Sequence, residues 1–255
     1  MAGAGVTSLR IVDDNTELAR AAAEEVVRLA SEAVRARGRF TLALSGGSTP
    51  RALHQLLAGP LFRDRIDWSA VHVFWGDERH VPPDHPESNY RMARETLLDL
   101  VPLPAANIHR IQAEEPDAER AAALYDAELR EAFALAEHAF PRFDLMLLGI
   151  GPDGHTASLF PGSGAVHEKE RRVIAPFVAK LKSHRITLTP PVLNRAAAVI
   201  FLVSGEEKAA PLAAILEGEP QVDLYPAQAV RPEDGTLLWL VDRAAAQRLK
   251  RVARI

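Results

Sequence analysis

Residues 143–158 read FDLMLLGIGPDGHTAS, an apolar run that passes directly into a glycine-rich turn bearing a carboxylate and an imidazole. An uninterrupted apolar run is typical of a strand that is buried on both faces of a parallel sheet. Open α/β sheets bind their ligands beyond the carboxyl ends of such strands. The unperturbed pKa of histidine lies near neutrality, which suits His155 to proton transfer. We therefore predict a buried strand at 143–150, followed by a functional loop.

Short apolar runs recur along the chain, and helical patterns separate them. Further buried strands are predicted at 40–44, 71–75, 199–203 and 237–241. Helices are predicted at 16–37, where Gly38 provides a left-handed cap, and at 50–57, 89–100, 117–138, 206–216 and 244–252. This alternation predicts a single α/β domain over residues 1–255. Its sheet should be doubly wound, mainly parallel and Rossmann-like, with helices on both faces.

The composition excludes several classes of protein and site. The 255 residues are 47% apolar, which is enough for a sizeable core, and they include no cysteine, which excludes thiolate chemistry and disulfides. A net charge of −4 with dispersed basic residues argues against nucleic acid as a partner. The first ten residues lack a secretion-signal pattern, and no apolar run reaches the roughly 18 residues of a membrane span. These features predict a cytoplasmic protein with no membrane partner.

Four polar motifs follow four of the predicted strands, in each case at the carboxyl end. They are SGGSTP at 45–50, GDER at 76–79, GPDGH at 151–155 and SGEEK at 204–208. The carboxyl ends of parallel strands lie along one edge of their sheet, so these motifs should converge on one crevice. This convergence is the main structural expectation from the sequence.

The first motif could bind an anion through its backbone. Ahead of a proline suited to the first helical turn, it combines two glycines with two hydroxyl residues: Gly46, Gly47, Ser48 and Thr49. It lacks both the Gly-Lys-Ser/Thr of a Walker loop and the GxGxxG fingerprint, which disfavours a nucleotide. A tight turn in which Ser48 or Thr49 caps the helix explains the segment equally well.

The second motif places Asp77, Glu78 and Arg79 directly after a buried strand. Arg79 could hold an anionic group or a developing oxyanion, or it could pair internally with Asp77 or Glu78. A loop stiffened by prolines follows and leads to Ser88 or Asn89 as the cap of the next helix. The loop also carries three possible metal ligands, but their spacing matches no common metal site: His80, Asp84 and His85.

The third motif surrounds its histidine with glycine, aspartate and threonine, which favours a functional role for His155 over a structural one. Asp153 could orient the imidazole while the other ring nitrogen takes a proton from water. Ser158 does not lie in a GxSxG elbow, so an acyl-serine mechanism is disfavoured. Lys208 and Arg185 are candidate cations for the same edge, although an exposed lysine needs no special role.

These motifs, in this order, resemble the 6-phosphogluconolactonases, a branch of the glucosamine-6-phosphate isomerase/6-phosphogluconolactonase family. The resemblance runs from about residue 40 to about residue 241, on the segments LSGGSTP, GDERHVPPDHPESNY, GIGPDGHTASLFPG and RITLTPP followed by SGEEK. The related glucosamine-6-phosphate deaminases have GHIAFNEP, with a carboxylate that supports the histidine. This chain has Phe160 at that place, and it has Arg79 where the deaminase pattern carries tyrosine.

The resemblance implies hydrolysis of 6-phospho-D-glucono-1,5-lactone to 6-phosphogluconate in the pentose phosphate pathway, without a metal or an organic cofactor. His155 would deprotonate water and then protonate the ring oxygen, with Asp153 orienting the imidazole. Arg79 would stabilise the oxyanion or align the sugar, and Asp77 would hold Arg79 or a sugar hydroxyl. The phosphate group would rest on Gly46, Gly47, Ser48 and Thr49, helped by Lys208 and Arg185.

Two other functions stay open at this stage. A deaminase and aldose–ketose isomerase of an amino-sugar phosphate would use Asp77 as its base, whereas a regulator could keep the sugar-phosphate pocket without turnover. The sequence leaves open which of Lys208, Arg185 and Arg79 meets the phosphate. Oligomeric state is also open, with a monomer favoured, because a polar-faced helix such as 117–138 is usually a solvated surface.

Overall fold

All five predicted apolar runs become strands in the computed structural model, which describes residues 6–250 of the chain. The strands are β1 (Val6–Val12), β2 (Phe40–Leu44), β3 (Val71–Trp75), β4 (Asp77–Arg79), β5 (Leu145–Leu148), β6 (Val173–Ile174), β7 (Phe177–Val178), β8 (Ser183–Leu188), β9 (Ala198–Val203) and β10 (Thr236–Asp242). The helices are α1 (Asn15–Arg37), α2 (Ser48–Ala58), α3 (Asn89–Thr96), α4 (Ala118–Ala132), α5 (Pro190–Arg195), α6 (Ala209–Glu217) and α7 (Arg243–Ala246).

Six of these strands form the main sheet, in the order β1-β10-β9-β5-β2-β3. Every neighbouring pair in this sheet is parallel. Each residue of β2, β5 and β9 is buried, as expected for central strands that are covered on both faces. The predicted doubly wound, mainly parallel α/β fold is therefore confirmed.

Several elements end earlier than their apolar patterns predict. Helix α4 stops at Ala132 rather than at residue 138, and Ala134 shortly after it has a φ of 48°, which turns the chain out of the helix. The predicted helix 89–100 is α3 followed by a 3₁₀ turn at Leu98–Leu100. The predicted helix 244–252 is the single turn α7, and residues 251 and 252 lie outside the described part of the chain. Gly38 caps α1 with a φ of 72°, as predicted.

A second, antiparallel sheet was not predicted. It contains β4, β8 and β6 in that order, and β7 also pairs with β8. Strands of two or three residues are too short to show an alternating pattern, so the sequence carries little signal for them. The charged motif Asp77–Arg79 is itself the edge strand β4, which follows β3 after the single residue Gly76.

Tyr125 on α4 fixes the carboxyl end of β3, where the charged motif begins. Its hydroxyl donates to the carbonyl oxygen of Trp75 at 2.9 Å and accepts from the Trp75 N–H at 3.0 Å. β3 is an edge strand of the main sheet, so no further strand pairs these two backbone groups. Both Trp75 and Tyr125 are buried, which makes the pairing energetically important. The Tyr125 side chain thus completes the hydrogen bonding of the backbone at this edge of the sheet.

Tyr125→Phe should lower the free energy of unfolding by about 1–3 kcal/mol, because two buried backbone groups lose their partner. Urea denaturation followed by circular dichroism measures this change. Tyr225→Phe is the matched control, since the Tyr225 hydroxyl makes no hydrogen bond within residues 6–250. Equal unfolding midpoints for the two variants would contradict the assignment.

Candidate active site

The polar motifs meet where the main sheet presents the carboxyl ends of four adjacent strands, in the order β9-β5-β2-β3. A cavity of about 110 Å³ lies at this edge. Its lining draws on the first three motifs, through Gly46, Asp77, Arg79 and His155. The fourth motif contributes Lys208, whose charge acts on His155. Three of the four motifs therefore line one crevice, as predicted, and the fourth lies close enough for the charge of Lys208 to act on His155.

The imidazole of His155 is held between a carboxylate and an aromatic ring. Its Nδ1 lies 2.5 Å from Oδ1 of Asp153, and the Phe160 ring stacks on it with centroids 4.0 Å apart. A Cβ on Gly151 would lie 2.0 Å from Nδ1 of His155, so only glycine leaves room for this ring. The Gly151 N–H also donates to the carbonyl oxygen of His155 at 2.8 Å, which closes the turn. With Nδ1–H donated to Asp153, Nε2 is left as the acceptor.

Lys180 is a member of this group that the sequence did not reveal. Its ammonium contacts Oδ2 of Asp153 and lies 4.9 Å from the centroid of the Phe160 ring. Lys180 belongs to a 3₁₀ turn, Ala179–Leu181, between β7 and β8. The segment AKLK has no motif character, and only the tertiary fold brings it to Asp153. The cation offsets the carboxylate charge that His155 senses, which favours the neutral imidazole.

The surroundings of His155 keep its imidazole uncharged near pH 7. Burial lowers the pKa of His155 to about 4. The carboxylate of Asp77 acts in the opposite direction and raises this pKa, whereas three cations lower it further: Lys208, Arg185 and Arg79. A neutral imidazole with a free Nε2 can accept a proton from a neighbouring group.

Arg79 and Arg185 stand directly opposite each other on the antiparallel strands β4 and β8. Arg79 Nη1 donates to the carbonyl oxygen of Glu87 at 2.5 Å, and Arg185 Nη1 donates to the carbonyl oxygen of His184 at 3.0 Å. Burial lowers the pKa of Arg185, and the nearby charge of Arg79 lowers it further. Within residues 6–250 neither guanidinium forms an ion pair with a carboxylate. Two facing, unpaired guanidinium groups favour an anion between or beside them.

Asp77 is held by Ser158 rather than by Arg79. The Ser158 hydroxyl donates to Oδ2 of Asp77 at 2.6 Å, and the Ser158 N–H donates to Oγ1 of Thr187 at 3.1 Å. The proposed contact from Asp77 to Arg79 is absent among the described residues, since Arg79 turns to a backbone carbonyl instead. The sequence points to Ser158 only as a possible nucleophile, and its support of the Asp77 carboxylate is visible only in the structure.

Glu78 joins strand β4 to the first turn of α3. Its Oε1 accepts from the backbone N–H groups of Arg79 and Asn89, each at 2.8 Å. Its Oε2 accepts from the Tyr90 N–H at 2.8 Å and from the Ser88 hydroxyl at 3.1 Å. Burial raises the pKa of Glu78, although the backbone hydrogen bonds act against that change. The sequence suggested an ion pair between Glu78 and Arg79 as one alternative. In the structure, Glu78 instead accepts a hydrogen bond from the backbone N–H of Arg79.

The two predicted helix starts differ in their caps. Ser88 caps α3, as one of the two expected residues, and accepts from the Arg91 N–H at 3.1 Å. The cap of α2 is Gly47, with a φ of 111°, so the alternative that Ser48 or Thr49 caps this helix is wrong. Both hydroxyl residues instead form the first turn of α2, next to the cavity residue Gly46.

No group of three or more metal-ligating side chains occurs in the stretch 6–250. His80 Nε2 lies 2.7 Å from the carbonyl oxygen of Glu115, and His85 Nδ1 accepts from the Glu87 N–H at 3.2 Å. Across the same stretch, no helix has both the length and the apolar character needed to cross a membrane.

This chain is similar to known proteins in both sequence and fold. The family model of glucosamine-6-phosphate isomerases/6-phosphogluconolactonase matches residues 13–239. A 6-phosphogluconolactonase of Synechocystis sp. is 44% identical over 86% of this chain and 89% of its own length. Another, of Nostoc sp., is 40% identical over 95% of this chain and 98% of its own length.

The solved structure of the 6-phosphogluconolactonase from Trypanosoma brucei has a TM-score of 0.84 and 30% identity, covering 95% of this chain and 98% of that one. A monomeric glucosamine-6-phosphate deaminase shares the fold, with a TM-score of 0.80 at 19% identity over 94% of this chain and 99% of that one. With a family model that matches residues 13–239 and relatives along nearly its whole length, this chain belongs to the family of glucosamine-6-phosphate isomerases and 6-phosphogluconolactonases.

Proposed function

We propose that this chain hydrolyses 6-phospho-D-glucono-1,5-lactone to 6-phosphogluconate, as a carboxylic ester hydrolase of the pentose phosphate pathway. The observation that carries the proposal is the neutral imidazole of His155, held by Asp153 in a crevice that also contains Arg79. Proton-transfer and cationic groups together suit an ester with a phosphate tail. A cytoplasmic location and a monomeric state stay predictions.

Opening a lactone needs a nucleophilic water, a stabilised oxyanion and a proton for the departing ring oxygen. In the proposed mechanism, Nε2 of His155 takes a proton from water as the water oxygen bonds to C1 of the lactone. The tetrahedral intermediate then collapses, the bond from C1 to the ring oxygen breaks, and the imidazolium returns its proton to that oxygen. Asp153 holds the imidazole in one tautomer and orientation throughout.

We assign the cations to two different ends of the substrate, the reacting carbon C1 and the phosphate group. Arg79 lines the cavity together with His155, and we assign it to the oxyanion that forms at C1. Arg185 lies on β8, the strand that pairs with β4, and Lys208 is the last residue of the 3₁₀ turn Glu206–Lys208 directly before α6. We assign these two residues to the phosphate group, together with the backbone and hydroxyls at the start of α2: Gly46, Gly47, Ser48 and Thr49.

Deamination of an amino-sugar phosphate fits the site less well. The position from which the deaminase pattern supports its histidine with a carboxylate holds Phe160, and its ring stacks on His155. Incubation with glucosamine 6-phosphate should therefore release no ammonia above the background. The same preparation should hydrolyse the lactone faster than its spontaneous opening, which distinguishes an enzyme from a regulator that only binds the sugar phosphate.

His155→Gln should lower kcat by about 10² to 10⁴, because the variant loses the group that moves the proton. KM should change little, since the substrate is bound mainly by other residues. Lactone hydrolysis corrected for spontaneous opening measures both constants. His167→Gln is the matched control, because His167 is exposed and pairs with Asp223 outside the cavity. An unchanged kcat in His155→Gln would refute the mechanism.

Lys180→Met should shift the acidic limb of the pH profile of kcat/KM to higher pH, by about half a pH unit at low ionic strength. The pKa of His155 is about 4, so its base form is retained from pH 8 down to about pH 5 and is lost as the pH falls through that value. Removing the cation from Asp153 strengthens the carboxylate's pull on the imidazole proton and raises the pKa of His155. Lys180→Arg and Lys182→Met should keep the original profile, and an unshifted limb in Lys180→Met would contradict this role.

Arg185→Ala and Lys208→Ala should each raise KM by about ten- to a hundredfold with little change in kcat, because each removes a cation from the phosphate. Steady-state kinetics with the lactone measure the change, and Lys169→Ala serves as a control on the exposed surface. On phosphate-free glucono-1,5-lactone, each variant should be as active as the unaltered protein. Equal losses on both lactones would remove these residues from the phosphate site.

A further inference from the structure

Asn89, the first residue of α3, lies in the wall of the cavity and has no role in the mechanism above. Its side chain is 3% exposed, and it lines the cavity with Asp77, Arg79 and His155. The sequence suggested Asn89 only as a helix cap, a position that Ser88 occupies. A buried amide beside proton-transfer groups needs an explanation, because burying an unpaired polar atom costs free energy.

Hydrogen bonds on the neighbouring strand fix the orientation of the Asn89 amide. Its Nδ2 donates to the backbone carbonyl of Asp77 at 3.0 Å, and its backbone N–H donates to Oε1 of Glu78 at 2.8 Å. A backbone carbonyl accepts hydrogen bonds and cannot donate them. The nitrogen of the amide therefore faces Asp77, and Oδ1 points away from that carbonyl.

Oδ1 of Asn89 lies against Gly46. A Cβ on Gly46 would come within 1.9 Å of this oxygen, so a side chain at position 46 would displace the amide. Gly46 is not among the residues with a positive φ, and its lack of a side chain serves this close approach instead. Oδ1 accepts no hydrogen bond from any residue in the range 6–250. The cavity wall thus presents a fixed acceptor without a protein donor.

We infer that Oδ1 of Asn89 accepts a hydrogen bond from a ring hydroxyl of the substrate, which makes Asn89 a specificity-determining residue. This inference rests on the proposed function. Of the polar groups on the phosphorylated lactone, the phosphate dianion and the carbonyl oxygen only accept, and the hydroxyls at C2, C3 and C4 donate. An amide oxygen therefore selects a hydroxyl and disfavours the phosphate at this wall.

The test compares kcat/KM for the parent lactone with that for its 2-deoxy, 3-deoxy and 4-deoxy forms, all phosphorylated at C6. The unaltered protein should hydrolyse one deoxy lactone about tenfold more slowly than the parent, because Oδ1 of Asn89 then lacks a donor. In Asn89→Ala this preference should disappear. A purely structural role would slow all four lactones by the same factor and leave their ratios intact.

One further variant completes the experiment. Asn107→Ala, the matched control, removes an amide that donates to the Ser69 and Val71 carbonyls away from the cavity, and it should keep the preference.

Persistence of the preference in Asn89→Ala overturns the inference. So does a lack of any slower deoxy lactone in the unaltered protein, a result that needs no folded variant. If the unaltered protein hydrolyses none of the lactones, the proposed function fails with it, and that outcome is recognisable from the parent lactone alone.

Discussion

Burial of four adjacent parallel strands is the constraint on which the site depends. β9, β5, β2 and β3 lie side by side, and the first three are buried along their entire length. Parallel strands must all leave the sheet at the same edge, so each polar motif emerges beside the others. The apolar runs therefore decide where the chemistry is assembled, although they take no part in it.

Two opposing influences act on the protonation state of His155 in this crevice. Burial and the cations Lys208, Arg185 and Arg79 disfavour protonation of His155, whereas the carboxylate of Asp77 favours it. A substrate that carries a phosphate group would compensate this excess of cations on binding, and Arg185, which forms no ion pair with a carboxylate within residues 6–250, is suited to bind that phosphate. The same arrangement leaves the imidazole able to accept a proton in neutral solution.

The sequence predicted five of the six strands of the main sheet, because a strand buried on both faces has a recognisable composition. It did not predict β1, an edge strand that has no buried residue at positions 7–12. The sequence also predicted the contact of Asp153 with His155, since the two residues lie in one turn. The contacts of Lys180 with Asp153 and of Ser158 with Asp77 depend on where the second sheet places these residues. The sequence did not predict these contacts between residues that lie far apart along the chain. The second sheet is built from strands as short as two residues, which leave no periodic signal.

Glu78 has a wider consequence for how the crevice meets its ligand. Its two oxygens accept four hydrogen bonds, from Arg79, Ser88, Asn89 and Tyr90. One buried carboxylate thereby holds both the edge strand and the start of the neighbouring helix in place. These two cavity segments therefore lose little conformational entropy when a small molecule binds. The site is preorganised for its ligand.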